Sequence, residues 1–378
     1  PWVIAPALAL LAVVVFLNAL AGGLIFDSAA LVLDDARLTA FSADHLRDIL
    51  GRTYWWPLIE TTLYRPATTL SFLIEYSGLG YGPHPAGYHL TNVALHAVNT
   101  VLLYTALRRW LSTVWPAAVA AALWAVHPLG TEAVANVAGR ADLLMTAGVL
   151  GAINAHLLVA SSDGRARLAW LMVVGAATLL AASAKETGVT VVALLVLIDL
   201  VREPDDRTRH WPSWLASGLA TALYLAARAA AIGDAPVTPF PFVDNPIAGA
   251  EGLQGRLTAM VVAGRYLRLA LWPATLSADY SFAQLPLASG TPSDWLHGAL
   301  VAVFLAVTVW AGLRRHVAFA LLGASLLTFL PASNLLFATG TVMGERLAYL
   351  PLAFALAAVA ATVFARPLTP AQTRTALG

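Results

Sequence analysis

The sequence predicts an all-α polytopic membrane protein, and three observations support this fold class. Of its 378 residues, 59% are hydrophobic and 11% are charged, whereas soluble domains are about 25% charged. So few charged side chains cannot supply the polar surface that a soluble domain of this size needs. About ten apolar segments approach the length of a membrane-spanning helix, roughly 20 residues. Basic residues follow every second segment, which is the pattern expected of cytoplasmic loops.

Each apolar segment is interpreted as one span. The first, 2–25, is too long for the core of a signal peptide and has no obvious cleavage site, so it is included. The predicted spans are 2–25, 89–107, 112–130, 141–160, 168–184, 187–201, 212–232, 295–313, 317–333 and 347–365.

The arginines orient these spans. They follow the second, fourth, sixth, eighth and tenth spans, at Arg108, Arg109, Arg165, Arg167, Arg202, Arg207, Arg209, Arg314, Arg315 and Arg366. Because cytoplasmic loops retain Arg and Lys, one alternating topology with the N-terminus inside satisfies all of them.

The segment 256–272 is apolar but contains three arginines. Counting it as a span would place Arg314 and Arg315 outside the cell. We therefore predict a re-entrant or interfacial helix on the outer face. With that helix the spans number about 10 to 11.

The predicted topology creates two large outer loops, 26–88 and 233–294, within one membrane domain, 1–366. A short tail, 367–378, follows this domain. Most acidic residues fall on the outer side, because only five of the 21 lie near the cytoplasm: Asp163, Asp199, Glu203, Asp205 and Asp206. Any chemistry is therefore expected outside.

Composition also excludes several classes of site. The sequence has no cysteine, which excludes disulfides, iron–sulfur clusters and cysteine-ligated zinc. Its net charge of +1 gives no reason to expect a nucleic-acid partner.

Two adjacent acids, Asp34 and Asp35, open the first outer loop. In one interpretation they cap a helix or lie in a solvated turn, since Asp favours the first turn of a helix. In the other they act as a general base, because two like charges held close raise one pKa. The pair could also bind a divalent cation through oxygen ligands.

A second polar cluster lies between the third and fourth spans and contains His127, Glu132, Arg140 and Asp142. Ionisable side chains at membrane depth are costly, so they are candidates for function. The alternatives are a structural ion pair of Arg140 with Glu132 or Asp142, and a helix-end cap formed by His127.

Further charges lie on the same outer side. Lys185, the only lysine, precedes Glu186 between the fifth and sixth spans; it is interpreted either as an ion pair with Glu186 or as an anion site. Glu345 and Arg346 precede the last span, where a surface anchor is the alternative. Arg65 adds a cation in the first outer loop.

The second span carries a stripe of polar residues at three- and four-residue spacings: His89, Asn92, His96 and Asn99. We interpret this stripe as a source of hydrogen bonds between helices.

Several strings occur together in one order. They are the DD pair, YRPATTLSF, GYHLTNVALHAVNT, VHPLGTEAVANVAGRADLL, AKETG, LSADYSF and FLPASNLLFATGTVMGERLAYLP. Over about 26–360 the chain thereby resembles the membrane portion of the transmembrane and tetratricopeptide-repeat O-mannosyltransferases and their bacterial relatives. Those relatives carry tetratricopeptide repeats after the membrane part, whereas no helical repeat follows here, so either the chain is cut short or it is a repeat-less relative.

The resemblance implies a GT-C glycosyltransferase in a bacterial inner membrane, with its active site on the extracytoplasmic side. Such enzymes pass a sugar, here mannose, from a polyprenyl or dolichyl phosphate to an acceptor hydroxyl, here a Ser or Thr of a protein. The prenyl tail would lie among membrane lipids in a groove between spans. An acid of the first outer loop is the base in this class, which implies Asp34 or Asp35. We expect Asp34 to accept the proton in an inverting displacement and Asp35 to orient the acceptor or to bind Mg²⁺ or Mn²⁺, although no cofactor is required.

The other predicted site residues would bind the phosphate of the donor or position the sugar and the acceptor. Arg140 and Lys185 would stabilise the departing phosphate, with Arg346 and Arg65 as second choices. The sugar or acceptor would be positioned by His127, Glu132, Asp142, Glu186 and Glu345.

Two competing classes are a transporter or lipid flippase and a non-catalytic scaffold. Transporters place ionisable groups near the bilayer midplane and have two related halves. Here the charges gather at one face and the sequence has no internal repeat, which favours the enzyme.

Overall fold

The computed structural model describes residues 2–201, 204–233, 241–281 and 284–364. Residues used above that lie outside the described ones are Arg202, Glu203, Arg366 and the tail 367–378, together with the side chains of Asp205, Asp206 and Arg207.

The described residues form fifteen α-helices and no β-strand, in agreement with the predicted all-α class. In chain order these are α1 (Ile4–Phe16), α2 (Asp27–Leu33), α3 (Ala43–Gly51), α4 (Pro66–Leu73), α5 (Pro85–Leu111), α6 (Trp115–Val126), α7 (Thr131–Ala135), α8 (Arg140–Val159), α9 (Gly164–Ala184), α10 (Val191–Leu200), α11 (Pro204–Ile232), α12 (Gly252–Leu271), α13 (Pro292–Leu313), α14 (Ala318–Phe329) and α15 (Tyr349–Val363).

In the described part, seven helical segments are long and apolar enough to cross a membrane. They are Ile4–Ala21, Pro85–Leu111, Val137–Val159, Gly164–Ala184, Arg209–Ile232, Pro292–Leu313 and Glu345–Val363. Each of them coincides with one predicted span. The protein is therefore an integral, polytopic membrane protein.

The third predicted span, 112–130, differs from a straight helix. It is a pair of helical segments, Trp115–Val126 and Pro128–Ala135, that meet at an angle of 60°. Pro128 causes the break, because proline lacks the N–H that would continue the helix and clashes with the preceding turn. With this pair counted as one span, the described residues contain up to eight.

Two other predicted spans contain shorter helices. Segment 187–201 holds α10, which has 10 residues, and segment 317–333 holds α14, which has 12 residues. A 3₁₀ turn extends each of them, Glu186–Thr190 before α10 and Leu330–Ala332 after α14. Helix α12, which carries the three arginines, is not among the membrane-crossing helices; its predicted re-entrant or interfacial position stays a prediction.

The core of the bundle is built around α8. The segment Val137–Val159 is 78% buried, whereas Arg209–Ile232 is 17% buried. Helix α8 packs against α5 and α9. Because α8 is enclosed by protein, polar side chains at its ends must find partners within the protein.

The polar stripe on α5 does bond to other helices. Asn92 donates to the carbonyl oxygen of Val134 at 3.2 Å, and Asn99 donates to that of Leu143 at 2.9 Å. The ring of His96 bonds to the hydroxyl of Tyr349 at 2.7 Å. The predicted hydrogen bonds between helices are confirmed for these three residues.

The first outer loop is a folded unit on one end of the bundle. Helices α2, α3 and α4 enclose a small apolar core that includes Leu31, Leu38, Ile49 and Phe72. Thr68 Oγ1 on α4 donates to the Ala184 carbonyl oxygen at 2.9 Å, which ties the loop to the end of α9.

The segments predicted to lie outside meet at this end of the bundle, hereafter the outer end. Segments predicted to lie inside meet at the opposite end, where Arg209 pairs with Asp163 at 2.6 Å and His156 bonds to Asp199 at 3.1 Å.

Candidate active site

Three ion pairs at the outer end join segments that are far apart in the sequence. Their six residues, hereafter the charged cluster, are Arg65, Glu132, Asp142, Lys185, Glu186 and Arg346. All six are residues that the sequence singled out.

Lys185 pairs with Asp142 of α8, with 2.6 Å between Nζ and Oδ1. Lys185 is the extended residue that ends α9, and its backbone N–H bonds to the Ala181 carbonyl oxygen. The turn then passes so close to α9 that a Cβ at Gly188 would overlap the Ala181 carbonyl oxygen, so glycine is required there. Burial lowers the pKa of Lys185, and the Asp142 carboxylate acts in the opposite direction. The alternative prediction that Lys185 pairs with Glu186 is wrong.

Glu186 instead pairs with Arg65, which lies just before α4. Nε of Arg65 is 3.0 Å from Oε2 of Glu186, and the backbone N–H of Tyr64 bonds to Oε1 at 3.0 Å. The Arg65 guanidinium also lies over the ring of Tyr54, 5.0 Å from its centroid. Glu186 therefore anchors the first outer loop on the turn after α9.

Arg346 pairs with Glu132 of α7. The two oxygens of Glu132 accept from the backbone N–H of Arg346 at 2.9 Å and from its Nη1 at 2.5 Å. The Arg346 side chain is 26% exposed, and its Nε and Nη2 make no hydrogen bond within the described residues. These donors are available to a ligand.

The three cations lie within electrostatic range of one another. Lys185 interacts with Arg65 and Arg346, and Arg346 also interacts with Asp142. Each cation is also paired with a carboxylate, so the part of the charged cluster that an anionic group could bind is the set of Arg346 donors that have no partner among the described residues.

The two predicted catalytic acids have different surroundings. Asp35 is 5% exposed, and its carboxylate accepts from the backbone N–H, Nε and Nη2 of Arg37. Arg37 in turn donates to the carbonyl oxygens of Thr53 and Tyr54, so this pair holds the loop together. Asp34 is exposed at the end of α2 and makes no hydrogen bond or ion pair within the described ranges. Its role as the base stays a prediction.

A different acid of the first outer loop lies within electrostatic range of the charged cluster. Asp27, the first residue of α2, interacts electrostatically with the guanidinium of Arg346 and with Tyr54, whose pKa is raised by burial. Phe26 before it has a φ of 49°, which is uncommon for a residue with a side chain and turns the chain sharply into α2. The sequence signal was present, since Asp27 is the first acid after the first span. Asp27 has no acidic neighbour in the sequence, whereas Asp34 and Asp35 form an adjacent pair.

Arg140 does not point at the charged cluster. Its fully buried guanidinium pairs with Glu75 at 2.8 Å and donates to Asn92 Oδ1 at 2.6 Å and to the Tyr88 carbonyl oxygen at 3.0 Å. The predicted alternative of a structural ion pair fits these contacts, but the partner is Glu75 and not Glu132 or Asp142. Phosphate binding by Arg140 stays a prediction, and the observed contacts connect α8 to the first outer loop.

Two further predicted residues hold segments together. His127 Nδ1 accepts from the Leu129 N–H at 3.2 Å and Nε2 bonds to the Ala270 carbonyl oxygen at 3.1 Å, in agreement with a helix-end cap. Glu345 accepts from the Tyr280 hydroxyl at 2.7 Å and from the Ser277 N–H at 2.8 Å. Positioning of a substrate by His127 or Glu345 stays a prediction.

The arrangement of Asp35 does not fit the optional Mg²⁺ or Mn²⁺, because both of its oxygens already accept from Arg37. Among the described residues, one group of three side chains brings its ligand atoms within 4.8 Å, namely His156, Asp199 and His210 at the opposite end of the bundle.

Comparison with known proteins identifies similar sequences. The chain is 30% identical to Protein O-mannosyl-transferase TMTC4 of Homo sapiens, over 90% of this chain and 52% of that protein. It is 34% identical to Protein O-mannosyl-transferase Tmtc2 of Drosophila melanogaster, over 73% of this chain and 30% of that protein, and 29% identical to Protein O-mannosyl-transferase F38B6.6 of Caenorhabditis elegans, over 90% and 48%. The chain thus spans about half the length, or less, of these relatives. No family model and no solved structure matches it.

Proposed function

We propose a function from one premise: the chain belongs to the TMTC family of protein O-mannosyl-transferases. It transfers mannose from a polyprenyl-phosphate donor to a Ser or Thr hydroxyl of a protein. The enzyme belongs to the GT-C class of glycosyltransferases. The reaction inverts the configuration at the anomeric carbon of the sugar and takes place on the extracytoplasmic side of a bacterial inner membrane.

The observation that carries this proposal is the convergence of Arg65, Lys185 and Arg346 at the outer end of the bundle. Lys185 and Arg346 lie at the ends of membrane-crossing helices, and Arg65 lies in the first outer loop, which folds onto the same end of the bundle. A phosphate attached to a lipid lies at the same depth, where the headgroups of the bilayer begin. The charged cluster is therefore suited to a donor that is both anionic and anchored in the membrane.

The proposed reaction is a single displacement. The acceptor hydroxyl oxygen forms a bond to the anomeric carbon, the bond from that carbon to the phosphate oxygen breaks, and polyprenyl phosphate leaves with the electron pair. Lys185 and the unused donors of Arg346 stabilise the charge that develops on the leaving phosphate, a contribution of about 3–4 kcal/mol for one well-placed donor in other enzymes.

A carboxylate of the first outer loop takes the proton of the acceptor hydroxyl. We propose Asp27 for this role because it lies within electrostatic range of Arg346, the residue whose unused donors would bind the leaving phosphate. Asp34 stays the alternative that the DD pair indicates. Asp35 serves the reaction indirectly, since its contacts with Arg37 shape the loop.

The test is transfer of radiolabelled mannose from polyprenyl-phosphate mannose to an acceptor protein by the purified wild type and by the Asp27→Asn and Asp34→Asn variants. Loss of a general base costs about 10²–10⁴-fold in rate, so we expect that loss for Asp27→Asn and near wild-type transfer for Asp34→Asn. The reverse result would assign the base to Asp34.

Equal binding of donor by both variants is the control, because it separates loss of the base from loss of the binding site. The proposed function itself is rejected if the folded wild type transfers no sugar from mannose, other hexose or pentose donors.

A further inference from the structure

A cavity of about 170 Å³ lies in the second outer loop, between α12 and the segment that follows it. Its polar lining consists of Arg265, Arg268, Thr275, Ser277, Tyr280 and Gln284. None of these residues belongs to the charged cluster.

The two arginines of this cavity have no hydrogen-bonding or ion-pair partner among the residues that the structure describes. Arg265 and Arg268 lie one turn apart on the same side of α12, and neither makes a hydrogen bond or an ion pair within the described ranges. Like charges at this spacing destabilise a helix. Arg65, Arg140 and Arg346, in contrast, each have a carboxylate partner.

Three acids near the cavity accept hydrogen bonds from other groups, and one of them, Asp279, accepts from the N–H and the hydroxyl of Ser281. Asp294 interacts electrostatically with Arg265 without forming an ion pair. Its Oδ2 accepts hydrogen bonds from the backbone N–H groups of Ser289, Gly290 and Thr291. Glu345 accepts from the Tyr280 hydroxyl and the Ser277 N–H. None of these acids forms an ion pair with Arg265 or Arg268, so the donors of both guanidinium groups are left for an anion from outside the chain.

The end of α12 also carries apolar surface. Leu271 and Trp272, three and four residues after Arg268, are 73% and 71% exposed. Tryptophan is enriched where a bilayer meets water. Exposed apolar side chains beside two free guanidinium groups suit a ligand with a hydrocarbon part and a charged head.

We propose that this cavity binds the phosphate group of a membrane lipid. A planar guanidinium group can donate two parallel hydrogen bonds to two oxygens of one phosphate, which suits Arg265 and Arg268 to this ligand. The Thr275 hydroxyl and the Gln284 amide supply further donors. The lipid is either an isoprenoid phosphate or a phospholipid with a phosphate headgroup. Only its identification with the sugar carrier rests on the proposed function.

The cavity lies beside the charged cluster. Met343 lines it, three residues before Arg346 in the sequence, and the Tyr280 hydroxyl joins its wall to Glu345. A lipid phosphate held by Arg265 and Arg268 is thus close to the place where we propose that the donor reacts.

The first test measures binding of farnesyl phosphate and of short-chain phosphatidylglycerol to the purified protein in detergent by titration calorimetry. The Arg265→Gln/Arg268→Gln variant removes both charges, and loss of charge-assisted hydrogen bonds should weaken binding by about tenfold or more. Arg256→Gln is the matched control, because Arg256 lies on the same helix, donates to the Leu335 carbonyl oxygen and does not line the cavity.

The two ligands distinguish the source of the phosphate. Weaker binding of farnesyl phosphate alone identifies an isoprenoid phosphate, and weaker binding of phosphatidylglycerol identifies a phospholipid. Unchanged binding of both ligands by a folded double variant overturns the proposal. Since neither ligand carries a sugar, the result stands whether or not the protein transfers mannose.

A second measurement needs no variant. Phenylglyoxal modifies accessible arginines, and mass spectrometry of the wild type locates the modified residues. Farnesyl phosphate or phosphatidylglycerol should protect Arg265 and Arg268 and leave the modification of Arg256 unchanged. Equal modification of all three residues with and without both lipids would reject the site.

Discussion

At the scale of single residues, exposure separates four paired arginines of the outer end into two groups. Arg140 and Arg37 are 0% and 2% exposed and bond to the protein on several sides. Arg346 and Arg65 have side chains that are 26% and 17% exposed. Of these four arginines, only Arg346 and Arg65 can meet a substrate without rearrangement, whereas Arg140 and Arg37 hold the loops in place.

Lys185 permits a test that separates stability from chemistry. Replacing it with Met leaves Asp142 as a buried charge without its partner, and breaking a buried pair costs about 3–5 kcal/mol. We expect Lys185→Met to lower both the unfolding temperature and the rate of mannose transfer.

The control for Lys185→Met is the Lys185→Met/Asp142→Leu double variant. Replacing both partners with apolar groups is often neutral for stability. The double variant should therefore recover its unfolding temperature and remain inactive. A double variant with wild-type transfer would show that Lys185 has no role in the reaction.

At the scale of structural elements, the turns between helices bring the charges together. Pro128 breaks the third span by 60°, and the resulting α7 carries Glu132 to Arg346. The turn after α9 places Lys185 and Glu186 next to each other, yet it directs them to different partners, Asp142 and Arg65. Two adjacent residues thereby connect α8 and the first outer loop to the same turn.

Gly188 tests the importance of this turn. A Cβ at this position would overlap backbone atoms of Ala181 and Ala182, and overpacking of this kind costs about 1–3 kcal/mol. Gly188→Ala should therefore lower the unfolding temperature and, by shifting Lys185, the rate of transfer. Gly218→Ala is the control, because a Cβ there meets no atom within 4 Å. Equal unfolding temperatures for the two variants would contradict this account of the turn.

At the scale of the whole molecule, the position of the charges opposes the transporter alternative. The charged cluster and the arginine-lined cavity both lie among segments of the outer end. The ion pairs Arg37–Asp35 and Arg140–Glu75 also lie at the outer end, and Arg209 pairs with Asp163 at the opposite end. Transporters bind their substrates near the bilayer midplane, and this arrangement instead suits a reaction at one surface.

The absence of cysteine in the sequence makes the sidedness directly testable. Ser289 and Ser161 are both exposed and lie in loops predicted to be on opposite sides of the membrane. A Ser289→Cys variant in intact cells should react with a membrane-impermeant maleimide, and a Ser161→Cys variant should react only after permeabilisation. The opposite labelling pattern would place the charged cluster in the cytoplasm and would exclude the proposed extracytoplasmic reaction.

The amino-acid sequence by itself determined the membrane class, the approximate positions of most helices and the polar residues worth attention. These properties depend on composition and on contiguous apolar length, which a bilayer imposes locally. It also predicted the hydrogen bonding of Asn92, His96 and Asn99, because residues at helical spacing share one side of α5.

The tertiary structure alone decided which charges are partners. Lys185 binds Asp142 across 43 residues of sequence, and Arg346 binds Glu132 across 214. No local pattern encodes such distances, so the sequence suggested the neighbour Glu186 for Lys185. For the same reason it favoured the adjacent pair Asp34 and Asp35 over Asp27. Charge interactions depend on separation in space, and the folding of α2 against the bundle is what brings a single carboxylate within range of Arg346.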